Sequence, residues 1–368
     1  MIKQKQRESN IELLRLTSML IIVVYHFFIN AIIPAAPELD YITKPLIAVL
    51  HIGVICFVLI SGYWGIKFSL KGFTKVFIYC AFYSVLIYAA GCLLNPKLFN
   101  IKDAVLSFIP YRWWFIPVYL CLFVLAPIIN IPLSRASNQN KLLFIILLAI
   151  VSFGFGQFTP TISDGKNPLN FIWIYYLGDY LRTAVKLPAK IDAKRIFIVY
   201  LALNAILFLV LFFSQLHVPI AGKVVMHLFY PYNSIGLIIN ASIFFLIFTR
   251  ISISSKMINW FAGSTLAVYL LHENQYIGIY VYNFVAALKD QFDNFVLYFI
   301  VLVLIAASVV IVSVLIDKLL TPVIQFITRI VTDNRLFLWA DKKVSELSAP
   351  QMVTPPLSDT MAAIKESR

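Results

Sequence analysis

The sequence predicts an all-α fold: a polytopic membrane helix bundle of about ten transmembrane helices, with both termini in the cytoplasm. Three observations predict it. Of the 368 residues, 61% are hydrophobic and only 13% charged, whereas a soluble domain carries about 25% charged residues. The apolar residues gather into about ten runs, most of them near the roughly 20 residues that a helix needs to cross about 30 Å of hydrocarbon. The basic residues, finally, sort themselves by side.

The runs fall at 12–33, 46–66, 73–94, 114–131, 141–158, 169–181, 196–216, 233–249, 258–282 and 295–320. Each is expected to be helical, because lipid offers no partner to an open backbone. The sixth, FIWIYYLGDYLR, is short and polar and reads as a tilted or partial span. With the N-terminus inside, 23 of the 30 lysines and arginines lie on the inner segments and the tail, and 7 on the outer loops. That asymmetry is the positive-inside pattern, and it supports an even number of spans. It also accounts for the net charge of +13 as a topology signal facing anionic membrane lipids; no nucleic-acid partner is expected. The first run is long enough to span and lacks an A-x-A site, so no cleavable signal peptide is expected.

Residues 1–325 are therefore read as the transmembrane domain and 326–368 as a polar cytoplasmic tail, which carries Pro350, Pro355 and Pro356 and is expected to be weakly ordered from about 330 on. No internal repeat is visible, which gives an inverted-repeat transporter little support. Cys56, Cys80, Cys92 and Cys121 all lie in apolar runs without a CxxC pair or zinc spacing and read as small buried hydrophobes.

Ionisable groups inside spans are costly and mark function. The first span opens at Ser9, which with Glu12 has the form of a capping box. It carries Arg15 and, eleven residues on, His26. Eleven residues rise about 16 Å and return to within about 20° of the same helix face. Arg15 reads either as a topology anchor paired with Glu12 or as part of a site, and His26 either as a packing residue or as a reactive group. In the ninth span, Tyr269, His272, Glu273 and Tyr276 stand at i, i+3, i+4 and i+7, one helical stripe that must face polar company. His272 lies about 20 Å above the inner end of its span and His26 at a similar height. Two imidazoles and a carboxylate at matched depth have the makings of a base and its orienting partners; a structural hydrogen-bond network is the other reading. His51 is an interfacial histidine or a further member of this group. Trp113 and Trp114, beside Arg112, read as interfacial anchors or as substrate platforms. Tyr175, Tyr176, Asp179 and Arg182 make the sixth span polar, with Asp179 and Arg182 spaced to pair.

Several of these residues belong to motifs. Arg15 and His26 form an R-x10-H pair. FVLISGYWG carries Phe57, Ser61 and Gly62; WWFIPVYLCLFVLAP carries Trp114, Phe115, Tyr119 and Pro127; YYLGDYL carries Tyr175 and Gly178; STLAVYLLH carries Ser264, Tyr269 and His272. In this order and spacing, over about residues 8–320, they resemble the integral-membrane acyltransferase family 3, of the stand-alone type without a fused hydrolase-like domain. The resemblance implies transfer of an acyl group, most often acetyl, from cytoplasmic acetyl-CoA (acyl-CoA) as donor substrate. The acceptor it implies is a hydroxyl of a cell-surface polysaccharide or lipid-linked saccharide. It implies a multi-pass protein of a bacterial inner (plasma) membrane, with acyl-CoA, a carbohydrate and membrane lipids as partners and no metal.

On that footing His26 is expected to deprotonate the acceptor hydroxyl or to carry the acyl group transiently. His272, Glu273 and Tyr269 would orient it or stabilise the oxyanion. Arg15 with Lys67, Lys71, Lys75, Arg135 and Lys141 would hold the phosphates of CoA, the rise from Arg15 to His26 being comparable to the reach of a pantetheine arm. His51, Arg112, Trp113 and Trp114 would meet the acceptor. The competing reading is a transporter or flippase for polysaccharide precursors, whose mark would be Gly- or Pro-broken helices at matched positions in two halves.

Overall fold

The computed structural model describes residues 8–159 and 164–348, and among them the chain is helical throughout, with no strand. Helix α1 (Ser9–Phe27) runs on through a π-helical segment, Phe28–Ile32, to Ala35. Helices α2 (Asp40–Leu50) and α3 (Gly53–Trp64) form one stretch bent at His51 and Ile52. Then come α4 (Leu70–Leu94), α5 (Phe115–Arg135), α6 (Asn138–Ala149), α7 (Pro168–Thr183), α8 (Ala193–His217) and α9 (Ile235–Thr249). The expected ninth span is three pieces: α10 (Lys256–Ala262), α11 (Thr265–His272) and α12 (Gly278–Leu288). Helices α13 (Phe295–Thr332) and α14 (Arg335–Ser348) close the described chain.

Among the described residues, six stretches are long and apolar enough to cross a membrane: Ser9–Ala35, Pro37–Trp64, Leu70–Leu94, Phe115–Arg135, Ala193–His217 and Phe295–Thr332. The other expected spans are shorter or broken helices, so the count of ten rests on the charge pattern. The expected outer loop 217–232 itself holds a short apolar helix, Pro219–Phe229.

Polar residues start most of these helices. Ser69, Ser137, Asn167, Asp192, Ser255 and Asn294 each accept a backbone N–H of the first turn, which satisfies donors that the helix leaves free. The capping box expected at Ser9 does not form. Its hydroxyl accepts the Ser255 N–H at 2.9 Å and so fastens α1 to the start of α10, while Glu12 turns to Arg15, 3.1 Å away.

Helix α1 is the hub, packed against α3, α9, α10, α11 and α13. Helices α3 and α7 cross with backbones in contact. A Cβ on Gly62 would run into the Tyr175 carbonyl, and one on Gly178 into the Leu59 carbonyl, so both motif glycines are required by close approach. Outer faces are apolar: Phe197, Ile198, Leu201 and Phe213 on α8 and Leu297, Ile300 and Leu304 on α13 are exposed, a surface suited to lipid and not to water. Cys56 and Cys80 are buried as expected, Cys92 is half-buried, and Cys121 lies on the exposed face of α5.

Helix α13 has 38 residues, about 57 Å at 1.5 Å per residue, and outruns a hydrocarbon core by its C-terminal half. The stretch expected to be weakly ordered continues as α14, which docks on the start of α4: Asp341 accepts the Lys71 backbone N–H at 2.9 Å and Asp333 its ammonium at 2.8 Å. The prolines at 350, 355 and 356 lie outside the described residues.

Candidate functional site

The three residues expected to share one depth do meet. His26 reaches from the end of α1 to the end of α11, its Nδ1 lying 2.9 Å from His272 Nε2 and 3.0 Å from Glu273 Oε2. The proton positions follow from the partners. His272 Nδ1 lies 2.6 Å from the Val268 carbonyl, which can only accept, so this nitrogen carries the hydrogen. In the neutral imidazole His272 Nε2 is then a lone pair, and His26 Nδ1 is the donor toward it and toward the carboxylate. His26 Nε2 is left bare, which is the form a general base requires. His26 and His272 are 8% and 3% exposed, so the arrangement is fixed by packing.

Glu273 is not on a helical stripe. It caps α11 with φ −97° and ψ 74°, and the chain unwinds before α12. Asn274 makes the break possible. Its Oδ1 accepts the N–H groups of Tyr276, Ile277 and Gly278 at the start of α12, and its Nδ2 donates to the Leu271 carbonyl at the end of α11. The unwound Glu273 carbonyl accepts from Trp113 Nε1. Its Oε2 collects Tyr282 OH at 2.7 Å and Asn30 Nδ2 at 3.3 Å besides His26. Asn30 sits in the π-helical segment of α1, a local insertion common at functional sites because it turns a side chain out of helical register. Asn30, Asn274 and Tyr282 were not foreseen; the signal was two amides and a phenol inside apolar runs.

Three cavities lie in series around this centre. An aromatic, polar one of about 420 Å³ is lined by Arg112, Trp113, Trp114, Glu273, Tyr276 and Tyr282, among others. An apolar one of about 300 Å³ is lined by Arg15, Ser61, Phe115, Tyr119, Leu266 and Tyr269, among others. A basic one of about 620 Å³ is lined by Lys71, Lys75, Lys318, Arg329, Asp317 and Asp333, among others. Gly263 is common to the walls of the basic and apolar cavities, and Tyr269 to those of the apolar and aromatic ones. Arg15 and His26 share none of these cavities. Arg15 lines the apolar cavity, held by Glu12, while His26 lines none of the three and meets the aromatic one only through its partner Glu273.

Other expected residues are placed as follows. Arg112 pairs with Asp103 at 2.9 Å and lies over the Tyr276 ring, 5.1 Å from its centre. His51 lines none of the three cavities. Its Nδ1 donates to the Tyr230 carbonyl at 2.6 Å, and its ring stacks on Tyr25 and Tyr230. Lys67 and Arg135 are exposed and away from the basic cavity. Lys141 is buried against Asp179 at 2.6 Å, and Arg182 takes the other carboxylate oxygen at 2.6 Å; this closed ion pair leaves Lys141 no charge to offer a phosphate. Lys318 and Arg329 take their place in the basic cavity, and Asp317, with Tyr79 and Tyr83 donating at 2.6 and 2.8 Å, is an ionisable residue of the last span that carried a signal and was passed over. Ser61 and Tyr119, known only as motif residues, meet at 3.2 Å.

His26, His272 and Glu273 also offer ligand atoms within 4.8 Å of one another, a spacing that a metal ion accepts; the hydrogen bonds among them satisfy the same atoms.

A family model described as an acyltransferase domain matches residues 8–318. Neither the curated proteins nor the solved structures contain a match to this chain. The match covers nearly all of the described bundle, including the His26–His272–Glu273 cluster and half of the residues that line the basic cavity, and the chain belongs to the membrane acyltransferase family 3.

Proposed function

We propose that this membrane acyltransferase is an O-acetyltransferase that moves the acetyl group of acetyl-CoA to a hydroxyl of a cell-surface polysaccharide or lipid-linked saccharide. The observation that carries the reading is the bare Nε2 of His26. The imidazole is held by a relay to His272 and Glu273, and Glu273 itself lines a cavity of tryptophans, tyrosines, amides and an arginine, the side chains that stack on and hydrogen-bond a sugar.

His26 Nε2 takes the proton of the acceptor hydroxyl as its oxygen attacks the thioester carbonyl. Glu273 and His272 fix the imidazole through Nδ1 and stabilise the imidazolium. The C–S bond breaks, and the CoA thiolate takes the proton from His26 Nε2. The phosphates of CoA are held in the basic cavity by Lys71, Lys75, Lys318 and Arg329, and Arg15 meets the arm where it enters the apolar cavity. Trp113, Trp114 and Arg112 hold the acceptor. The charge pattern supports an even number of crossings with cytoplasmic termini, the family likeness supports a bacterial plasma membrane, and on that topology the basic cavity opens on the cytoplasmic side.

The helix unwound between α11 and α12 is a feature that a flippase would also show. The test is to incubate purified protein with acetyl-CoA and surface glycan and to read free CoA and acetylated glycan. The reading expects both to appear together and to survive chelation of divalent metal. A flippase leaves the thioester intact. Loss on chelation with recovery on added Zn²⁺ would replace the base by a metal at the same three residues.

A further inference from the structure

We propose that Tyr269 is the partition between the donor and acceptor compartments, and that its ring decides whether the acetyl group goes to an acceptor or to water. The inference rests on the acyltransferase reading above. Tyr269 is common to the walls of the apolar and aromatic cavities. It projects from α11 three residues before His272, its ring edge-on to Phe115 at 5.9 Å and to His272 at 6.2 Å. It is 6% exposed, and its hydroxyl lies beside the Phe115 backbone at the start of α5.

The partition has a chemical purpose. The thioester comes to one side of the ring and the hydroxylated acceptor to the other. Asn30, Arg112, Glu273 and Asn274 bring polar groups to the aromatic cavity, so a water molecule has partners there. With the ring gone, a water molecule takes the acceptor's place. Its proton goes to His26 Nε2, its oxygen bonds to the carbonyl carbon, the C–S bond breaks, and the CoA thiolate takes the proton back. The products are acetate and CoA, with no acceptor consumed.

Two measurements test this. In the first, Cys56, Cys80, Cys92 and Cys121 are replaced by alanine, and Ser61, on the apolar cavity wall, is changed by Ser61→Cys. Sealed vesicles are treated with a small charged methanethiosulfonate on the face that carries Arg112 and Trp114. With Tyr269 or Tyr269→Phe the cysteine is expected to stay unlabelled, and with Tyr269→Ala to be labelled. Labelling with Tyr269 in place, or none with Tyr269→Ala, overturns the partition. Tyr269→Leu serves the same comparison if Tyr269→Ala does not fold. In the second, acetate formed and acetyl transferred are counted from acetyl-CoA. The ratio is expected to rise at least about tenfold in Tyr269→Ala and to stay low in Tyr269→Phe; an equal ratio in all three overturns the proposal. If the unaltered protein consumes no acetyl-CoA, the acyltransferase reading fails, and the labelling still decides the partition.

Discussion

At the scale of residues, one carbonyl sets the chemistry. The Val268 oxygen fixes the proton on His272 Nδ1, and every other tautomer follows from it. Glu273 then acts as a charge beside His26 and as a geometric stop. Glu273→Gln keeps the shape and removes the charge, so kcat is expected to fall while the KM for acetyl-CoA stays the same; a rise in KM alone would move Glu273 to donor binding. His26, His272, Glu273 and Tyr269 were legible in the sequence because ionisable and phenolic groups stand out against an apolar run. Their partners were less so. Asn30 reaches Glu273 through a π-helical turn that no periodicity announces. Lys141 looked like a free loop cation because its partner Asp179 lies 38 residues away.

At the scale of elements, the break between α11 and α12 is what brings Glu273 under His26. A continuous helix would have kept Glu273 and Tyr276 on one stripe, as the spacing suggested. The cap that Asn274 provides to both helices depends on tertiary placement, and so the sequence showed the polar residues without the break. The crossing of α3 on α7 was legible only as two motif glycines. Gly62→Ala or Gly178→Ala drives a methyl into a backbone carbonyl and is expected to cost at least about 1–3 kcal/mol, read as a lower Tm in detergent; an unchanged Tm would refute the contact. Helix α14 is clasped by Lys71. The ammonium donating to Asp333 holds that carboxyl below its ordinary value. A lowered acid favours the docked state above the unfolded value and loses that contribution as pH falls through the lowered one. Docking of α14 is therefore expected to be constant between about pH 6 and 9 and to loosen only in acid, read as faster hydrogen exchange of residues 335–348. Exchange that changes near neutrality would contradict the clasp.

At the scale of the whole molecule, the bundle strings a basic, an apolar and an aromatic cavity in sequence, joined at Gly263 and Tyr269. The order suits a substrate with a polyanionic head, a slim arm and a small reactive end. Lys75→Ala and Arg329→Ala are each expected to raise the KM for acetyl-CoA roughly tenfold, the value of one charge-assisted hydrogen bond, with kcat kept; unchanged KM in both would empty the basic cavity of its role. The helical bundle was legible from composition and charge, whereas the cavities were not, because they arise where helices from distant parts of the chain fail to touch. The central claim is that His26 is the base for acyl transfer, and it is tested most directly by acceptor-dependent acetylation with His26→Ala protein recovered from the membrane in normal amount. The account predicts a loss of about 10²-fold or more, and acetylation at the unaltered rate would contradict it.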